Sequence, residues 1–588
     1  MLLFFEGCAY KTSLLDRYFS KHTDCFVTLP KQDGYSKLVC VGYYYYADED
    51  EHVYILPKVF IYKKEGDNKI KAFGEIEIDP NKAIHVDKSN KRSALLSSKW
   101  QEDILYRIPL WIYSALKKYY QKKRETRILD EEELLEVTAS RREEKNLSQL
   151  DIALAIDAFY KKHSDFFVFC YKESHKGYNK INWNKTVRKE HAIIKSRTVN
   201  YLNHVNRHKE VDYEEELIIL FHNTLRYIYN NFFVEKMPDT DYDLYSDREF
   251  EIMIKSGVVK RHLRNIKENY YNEILVEMWS LLYKFHNEHH MSGSGKKKDD
   301  YLIARTFDRV FEDMIDELLS DPLEEDFKNL KDSKTIDHLF LYQTMFDDCK
   351  NVYYIGDSKY YKPNGKPQGP SRYKQFTYAK NIIQMAIDWY RGGPNENYTN
   401  KKLNYIDKVT EGYNVIPNFF ISGIVLPEYK YTSNVLKPVI NDGKFEEFHI
   451  SHWDNRLFDR DTLFALMYDI NFLFVLYSYI NRSKSNKKKF KADAKETFRS
   501  NFSEYLADTY KFYSLTLKED CNITLLKAIR ECFYDIKGKV FMPYAGEDML
   551  IMALNEKEYQ EDSNGTITAI SRYFNYNQIT ISDLHGRL

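Results

Sequence analysis

In YYIGDSKYYK, residues 353–362, an Asp and a Lys flank a single serine directly after an aromatic, β-prone run. Alternation along a strand puts Asp357 and Lys359 on one face and Ser358 on the other, and Gly356 permits a bend or a close approach just before the charges. A carboxylate beside an ammonium at a strand end suits metal-assisted cleavage of a phosphodiester; it also suits an ordinary surface ion pair. Further acids decide between the two. TIDHLFLY (335–342) is a second β-prone run with Asp337 near its start. A hairpin through QTMFDDCKN would bring Asp337 to Asp357, and converging carboxylates repel unless a cation lies between them. Asp347 and Asp348 fall in the turn of that hairpin.

The elements around the hairpin must position the rest. YLIARTFDRVFEDMIDELL (301–319) has apolar residues at helical spacing, with Glu312 and Asp316 one turn apart on the same side. SRYKQFTYAKNIIQMAIDWY (371–390) reads as a helix with Lys374, Gln375 and Tyr378 near its N-terminal end, where donors meet phosphate well. YNVIPNFFISGIVL (413–426) supplies a further strand. This order, helix with Glu, strand with Asp, strand with D-x-K, helix with Q-x-x-Y, strand, resembles the PD-(D/E)xK (restriction-endonuclease-like) nuclease core, a mixed sheet flanked by helices. Ile336 stands where the family carries Pro, a departure that leaves the metal chemistry intact. The resemblance implies that Asp337, Asp357 and the backbone carbonyl of Ser358 hold Mg²⁺. It implies that Lys359 positions water or neutralises the transition state, and that Glu312 binds a second ion or acts through water. Lys374, Gln375 and Tyr378 would meet the substrate phosphate. A helix–sheet–helix domain with surface ion pairs is the plain alternative.

With 588 residues, the chain is too long for one core, and roughly three or four domains are expected. A net charge of -1, from 87 basic and 88 acidic residues, excludes a uniformly basic nucleic-acid coat and leaves only local patches. The 50 Tyr and 36 Phe are spread through every region and read as compositional bias rather than as a base-stacking platform. The cysteines (Cys8, Cys25, Cys40, Cys170, Cys349, Cys521, Cys532) show no C-x-x-C and suit a reducing compartment. MLLFF meets Glu6 too soon for a signal peptide, and the apolar run 464–480 contains Asp469 and Asn471 and falls short of a membrane span. A soluble, cytoplasmic protein with no membrane contact is expected. The GSGK of MSGSGKKKDD is no P-loop, because position 290 is His and Lys297 stands where Ser or Thr would hold magnesium.

The expected organisation is α+β and multidomain. Residues 1–100 form a β-rich N-terminal module, and 101–292 a mainly helical module with a β-hairpin over SDFFVFCYKESHKGYNKINWNKTV, burying Trp183. MSGSGKKKDD (291–300) reads as a linker, 300–480 as the D-x-K domain and 481–588 as a C-terminal extension. FHNEHH offers His286, His289 and His290 at a spacing that could bind a transition metal but reads as a solvated helix end. FHISHWDNRLFDRDT reads as a strand carrying His449 and His452 that leads into a helix capped by Asp461 or Thr462. RSKSNKKKFKADAK (482–495) reads as a basic loop entering a helix, either on a DNA backbone or simply at the surface.

YILPKVFI (54–61) and GYNKINWNKTV (177–187), together with VFEDMI, the D-x-K strand and KQFTYA, resemble McrC-like subunits, in particular LlaJI-type restriction endonucleases. The resemblance runs in islands from about residue 40 to 480. It implies a Mg²⁺-dependent DNA endonuclease, the cleavage subunit of a McrBC or LlaJI-like restriction (anti-phage) system. The partner would be a separate, McrB-like AAA+ GTPase that binds the GTP, and a homodimer is an option. Two other readings stand beside it: a stand-alone nuclease on RNA or modified DNA, and a non-catalytic regulatory subunit that docks a GTPase.

Overall fold

A computed structural model describes the chain except for residues 21, 31, 47–48, 50, 63–68, 87–94, 98, 101–103, 126–136, 140–148, 165–171, 175–180, 196–197, 209–214, 234–239, 241, 268–269, 292–299, 322–335, 363–364, 366, 368, 392–402, 451–454, 482–483, 544–548, 563–564 and 585–588. Helices alternate with several small sheets. The N-terminal sheet runs Ile84–His85, Leu2–Phe5, Glu51–Leu56, Val41–Tyr46, Asp300–Ala304, Val137–Ala139 in spatial order. Its fifth strand therefore comes from far along the chain, and Leu302 and Ile303 fill the same core as Tyr43 and Tyr54. Helices Gln149–Lys162, Glu215–Ile228, Asp247–Lys255, Val258–Asn265 and Glu273–Met291 form the helical part between these strands.

The central sheet positions the candidate site. Helix α1 (Phe307–Leu319) precedes strands β1 (His338–Gln343) and β2 (Asn351–Lys359), which pair antiparallel as the expected hairpin. Helix α2 (Gly369–Arg391) then leads to β3 (Pro417–Ile424) and β4 (Leu463–Asn471), and β2, β3 and β4 run parallel. Parallel strands buried on both faces need near-continuous apolar sequence, as FFISGI and LFALMY provide. One face is covered by helix α3 (Lys484–Thr509), whose Phe498 stacks on Phe419 of β3 with ring centroids 4.2 Å apart and meets Tyr468 of β4 at 4.6 Å. The other face is covered by α2, whose Gln375 reaches Ile355 and Asn418. Beyond α3, strands Tyr510–Leu517, Val540–Phe541, Met549–Asn555 and Phe574–Ile579 form a small sheet with a separate core around Leu515, Ile529 and Leu550.

Several local expectations are corrected. Residues 300–304 are a strand, so the helix of the 301–319 segment begins only at Phe307. The second strand expected in GYNKINWNKTV is a helix, Trp183–Lys189, because the Asn182 side chain accepts from Lys185 N and caps it. Trp183 is 54% exposed rather than buried. After the strand Glu447–Ile450, the chain does not enter a helix at 461–462; it forms β4 and then, capped by Asn471 accepting from Leu473 N, the helix Phe472–Ile480. The apolar run 464–480 is thus half strand and half helix, and among the described residues no helix is long and apolar enough to cross a membrane. The MSGSGKKKDD linker lies almost wholly outside the described residues, as do the side chains of His289 and His290 and all of His452. His286 is core rather than solvated, hydrogen-bonded to Thr224 Oγ1 at 2.9 Å.

The basic segment 482–495 is also different in kind. From Lys484 on it is helical, and every fourth residue turns inward. Lys487 pairs with Glu317, Lys491 and Lys495 each pair with Asp321 at 2.9 Å, and Arg499 pairs with Asp348. These cations hold α3 to α1 and to the hairpin, while Lys488 and Lys489 face solvent.

Candidate active site

The hairpin register builds the acidic centre. The last β1–β2 pair is His338 with Gly356, so Asp337 stands opposite Asp357, one step beyond the paired strands. Cross-strand neighbours of this kind lie about 5 Å apart at Cβ. At this register the Asp337 and Asp357 carboxyls share one face and act on each other's charge. Beyond Gly356, β2 continues its ladder with β3, Asp357 opposite Phe420 and Lys359 opposite Ser422. Asp357 is 2% exposed, whereas Asp337 keeps part of its surface open to solvent although protein atoms crowd its carboxylate.

Gly356 makes room for the aromatic layer on the opposite face of the sheet. A Cβ there would come within 2.1 Å of the Phe419 ring, so only glycine lets the aromatic layer close beneath the acids. On the same face as Asp357, the Lys359 ammonium is ion-paired with the Asp357 carboxylate and lies 5.7 Å from the centroid of Phe420.

The electrostatics follow from crowding. Asp337 is held well above the usual carboxylate range by burial, by Asp357 opposite it and by the charge of Glu312; Lys374 opposes this. Glu312, on α1, is pushed up to about 7 by burial, then by the charges of Asp308 and Asp357, against the pull of Lys374 and Lys359. Burial pulls Lys374 down, but Asp337, the Tyr378 hydroxyl and Asp357 outweigh it and hold the ammonium above its ordinary pKa. Burial raises Tyr378 despite Lys374 beside it.

The structure therefore gathers Glu312, Asp337, Asp357, Lys359, Lys374 and Tyr378 into one electrostatic cluster. Gln375, expected at substrate phosphate, is buried against the protein's own backbone: its Nε2 donates to Ile355 O at 2.8 Å and to Asn418 Oδ1 at 3.4 Å. Asp347 and Asp348 lie in the hairpin turn, Asp347 accepting from Cys349 N at 2.7 Å and Asp348 paired with Arg499.

Two neighbours of the site escaped sequence reasoning. Ser358 points to the opposite face, where its Oγ hydrogen-bonds Nε2 of the fully buried His338; Nδ1 of that ring lies 3.7 Å from Asp316. Tyr360, directly after Lys359, is buried against the N-terminal module. Their only sequence signal is adjacency to Asp337 and Lys359.

The donor set suits a hard divalent cation, because its ligand atoms are carboxylate oxygens. Two carboxylates facing each other, one of them buried, are unfavourable without a proton or a cation, and the raised Asp337 expresses that. Among the described residues, no three His, Cys, Asp or Glu side chains stand assembled around one point. Glu312 acts on the pair by charge.

No family model matches the chain, and no curated protein matches it. Among solved structures, it is similar to a chain of the "Refined half-complex from tetradecameric assembly of Thermococcus gammatolerans McrB AAA+ hexamers with bound McrC". The identity is 12% and the TM-score 0.27, with 84% of this chain and 99% of that chain covered. Both values are too low for that likeness to bear on fold or function, so the site is read from its own residues.

Proposed function

We propose that the chain is a metal-dependent nuclease of the PD-(D/E)xK type, cutting DNA by phosphodiester hydrolysis. The observation that carries this reading is the hairpin register that sets Asp337 opposite Asp357, with Lys359 ion-paired to Asp357. Asp337 and Asp357, with the Ser358 carbonyl, would hold Mg²⁺, which supplies Lewis-acid charge at the phosphoryl oxygen and a more acidic water. Lys359 presents a compact positive charge on the same face, suited to neutralising charge that builds on the phosphoryl oxygens. Glu312, with its pKa near 7, can take up or hold a proton at neutral pH. Lys374, kept charged by Asp337, and the adjacent Tyr378 offer donors to a phosphate approaching along α2. Gln375 acts from behind, holding Ile355 two residues before Asp357.

The partnership with an AAA+ GTPase and a place in a restriction system rest on the sequence islands shared with McrC-like subunits. A plasmid-cleavage assay in Mg²⁺ tests both levels, comparing wild type, Asp357→Asn and Lys359→Ala, each with and without the candidate GTPase and GTP. Cleavage by wild type alone, dependent on partner and GTP, supports the restriction subunit. Partner-independent cleavage supports a stand-alone nuclease. Equal cleavage by all three chains refutes the site. Cleavage by none, on methylated and unmethylated plasmid alike, favours a regulatory subunit.

A further inference from the structure

The chain leaving Lys359 is gripped by residues more than three hundred positions away. Tyr360, 7% exposed, donates its hydroxyl hydrogen bond to the carboxylate of Glu6, which is 8% exposed at the end of the first strand of the N-terminal sheet. The Lys58 backbone N–H lies 3.2 Å from Glu6 Oε2 and 3.1 Å from the Tyr360 hydroxyl, and its ammonium sits 4.3 Å from the Tyr360 ring centroid. Two residues on, Lys362 Nζ donates to Gly7 O at 3.0 Å. The far side of the Tyr360 ring meets Phe307 and Phe311 of α1 at 5.3 and 6.0 Å between centroids, one residue from Glu312. The neighbouring strand is held the same way, Tyr62 OH donating to Val425 O at 2.6 Å just beyond β3.

We infer that Glu6 and Tyr360 are positioning residues for the site: the N-terminal module clamps the exit of the D-x-K strand and so fixes Lys359 against Asp357 and Glu312. The inference rests on the nuclease reading for the role of Lys359, whereas the clamp itself does not. Three physical points support it. Lys359 is the last residue of β2, where a strand frays unless the next residue is anchored. The anchor is a buried, charge-assisted hydrogen bond, worth more than a neutral one. Burial raises Glu6, which its partners Lys58 and Tyr360 only partly offset, so the carboxylate depends on those partners. Because displacement of about 1 Å at a catalytic group can cost about a hundredfold in rate, loss of the clamp should register in turnover rather than in DNA binding.

The test uses the full chain, with whatever partner cleavage requires, in four forms: wild type, Glu6→Gln, Glu6→Ala and Tyr360→Phe. Each is measured for cleavage kinetics and for amide hydrogen exchange over residues 356–362. Glu6→Gln keeps a carbonyl acceptor for Tyr360 OH and should stay within about threefold of wild type in both readouts. Glu6→Ala and Tyr360→Phe should lower kcat about 10- to 100-fold with KM for DNA nearly unchanged, and speed exchange at 356–362 about tenfold or more. Continued protection of Leu2–Phe5 and Val41–Tyr46 shows that the module is still folded. Unchanged exchange in Glu6→Ala and Tyr360→Phe overturns the clamp. Faster exchange with unchanged kcat overturns the positioning role alone. A wild type that does not cleave removes the nuclease reading and the positioning role with it, a result distinct from either of these.

Discussion

Replacing Gly356 by Ala places a methyl group 2.1 Å from Phe419 Cε2, 2.4 Å from Cζ and 2.9 Å from Cδ2. To reach ordinary contact the ring must retreat by more than about 1 Å. It has little room, being fully buried with its face stacked on Phe498 at 4.2 Å and Phe340 5.8 Å away. Overpacking a closed core costs about 1–3 kcal/mol, and a clash with a fixed aromatic layer belongs at the upper end. At about 2–4 °C per kcal/mol for a domain of this size, the transition that includes the central sheet should fall by about 5–10 °C in calorimetry. Phe419→Leu removes the ring atoms in question, so adding it to Gly356→Ala should cost less than the sum of the two single changes. Because Asp357 is the next residue, the strained hairpin should also lose cleavage activity. A Gly356→Ala chain that melts within about 1 °C of wild type would refute the close approach of β2 and β3 at Gly356.

Other outcomes follow from the same geometry. Glu312 and Asp337 both have folded pKa values above their unfolded ones, so the native state binds protons more tightly. Their stability contribution is therefore present at low pH and lost as pH rises, for Glu312 from about 4.5 through about 7. With chelator present, Tm should fall across that window, Glu312→Gln should flatten the fall, and Mg²⁺ should raise Tm more at pH 8 than at pH 5. Gln375→Leu leaves Ile355 O and Asn418 Oδ1 without their donor and should cost about 1–3 kcal/mol in denaturant unfolding. Burial pushes Asp321 up, but Lys491 and Lys495 overcome it and hold the carboxyl below its ordinary range. Its contribution is present above about pH 4 and lost progressively as pH falls below that, so Asp321→Asn should cost about 1 kcal/mol at pH 7 and less on acidification.

What was legible in the sequence was local. The hairpin could be read because TIDHLFLY and VYYIG each alternate or run apolar over strand length with a turn between them, and helix α1 because its apolar spacing is regular. The helix Trp183–Lys189 was missed because one capping bond from Asn182 overrode a β-looking sequence. The β4 strand was missed because an apolar run buried on both faces has no period to read. The lysines of α3 looked free because their partners, Glu317 and Asp321, lie about 170 residues earlier in the chain. The same distance problem hid the clamp: nothing near Glu6 points to Tyr360, and only the folded chain brings them together. Gln375 sat on the expected helix, but whether a side chain turns to a ligand or to its own sheet depends on helix rotation, which spacing alone does not set.

The acid pair itself admits a direct test: titration of Mn²⁺ into the full-length protein, followed by the loss of free-ion paramagnetic signal, in wild type and in Asp357→Asn. If Asp337 and Asp357 form a cation site, wild type takes up the ion, binding weakens about tenfold or more in Asp357→Asn, and Mg²⁺ competes it away. A wild type that takes up no ion at millimolar Mn²⁺, or a variant that binds as well as wild type, would contradict it.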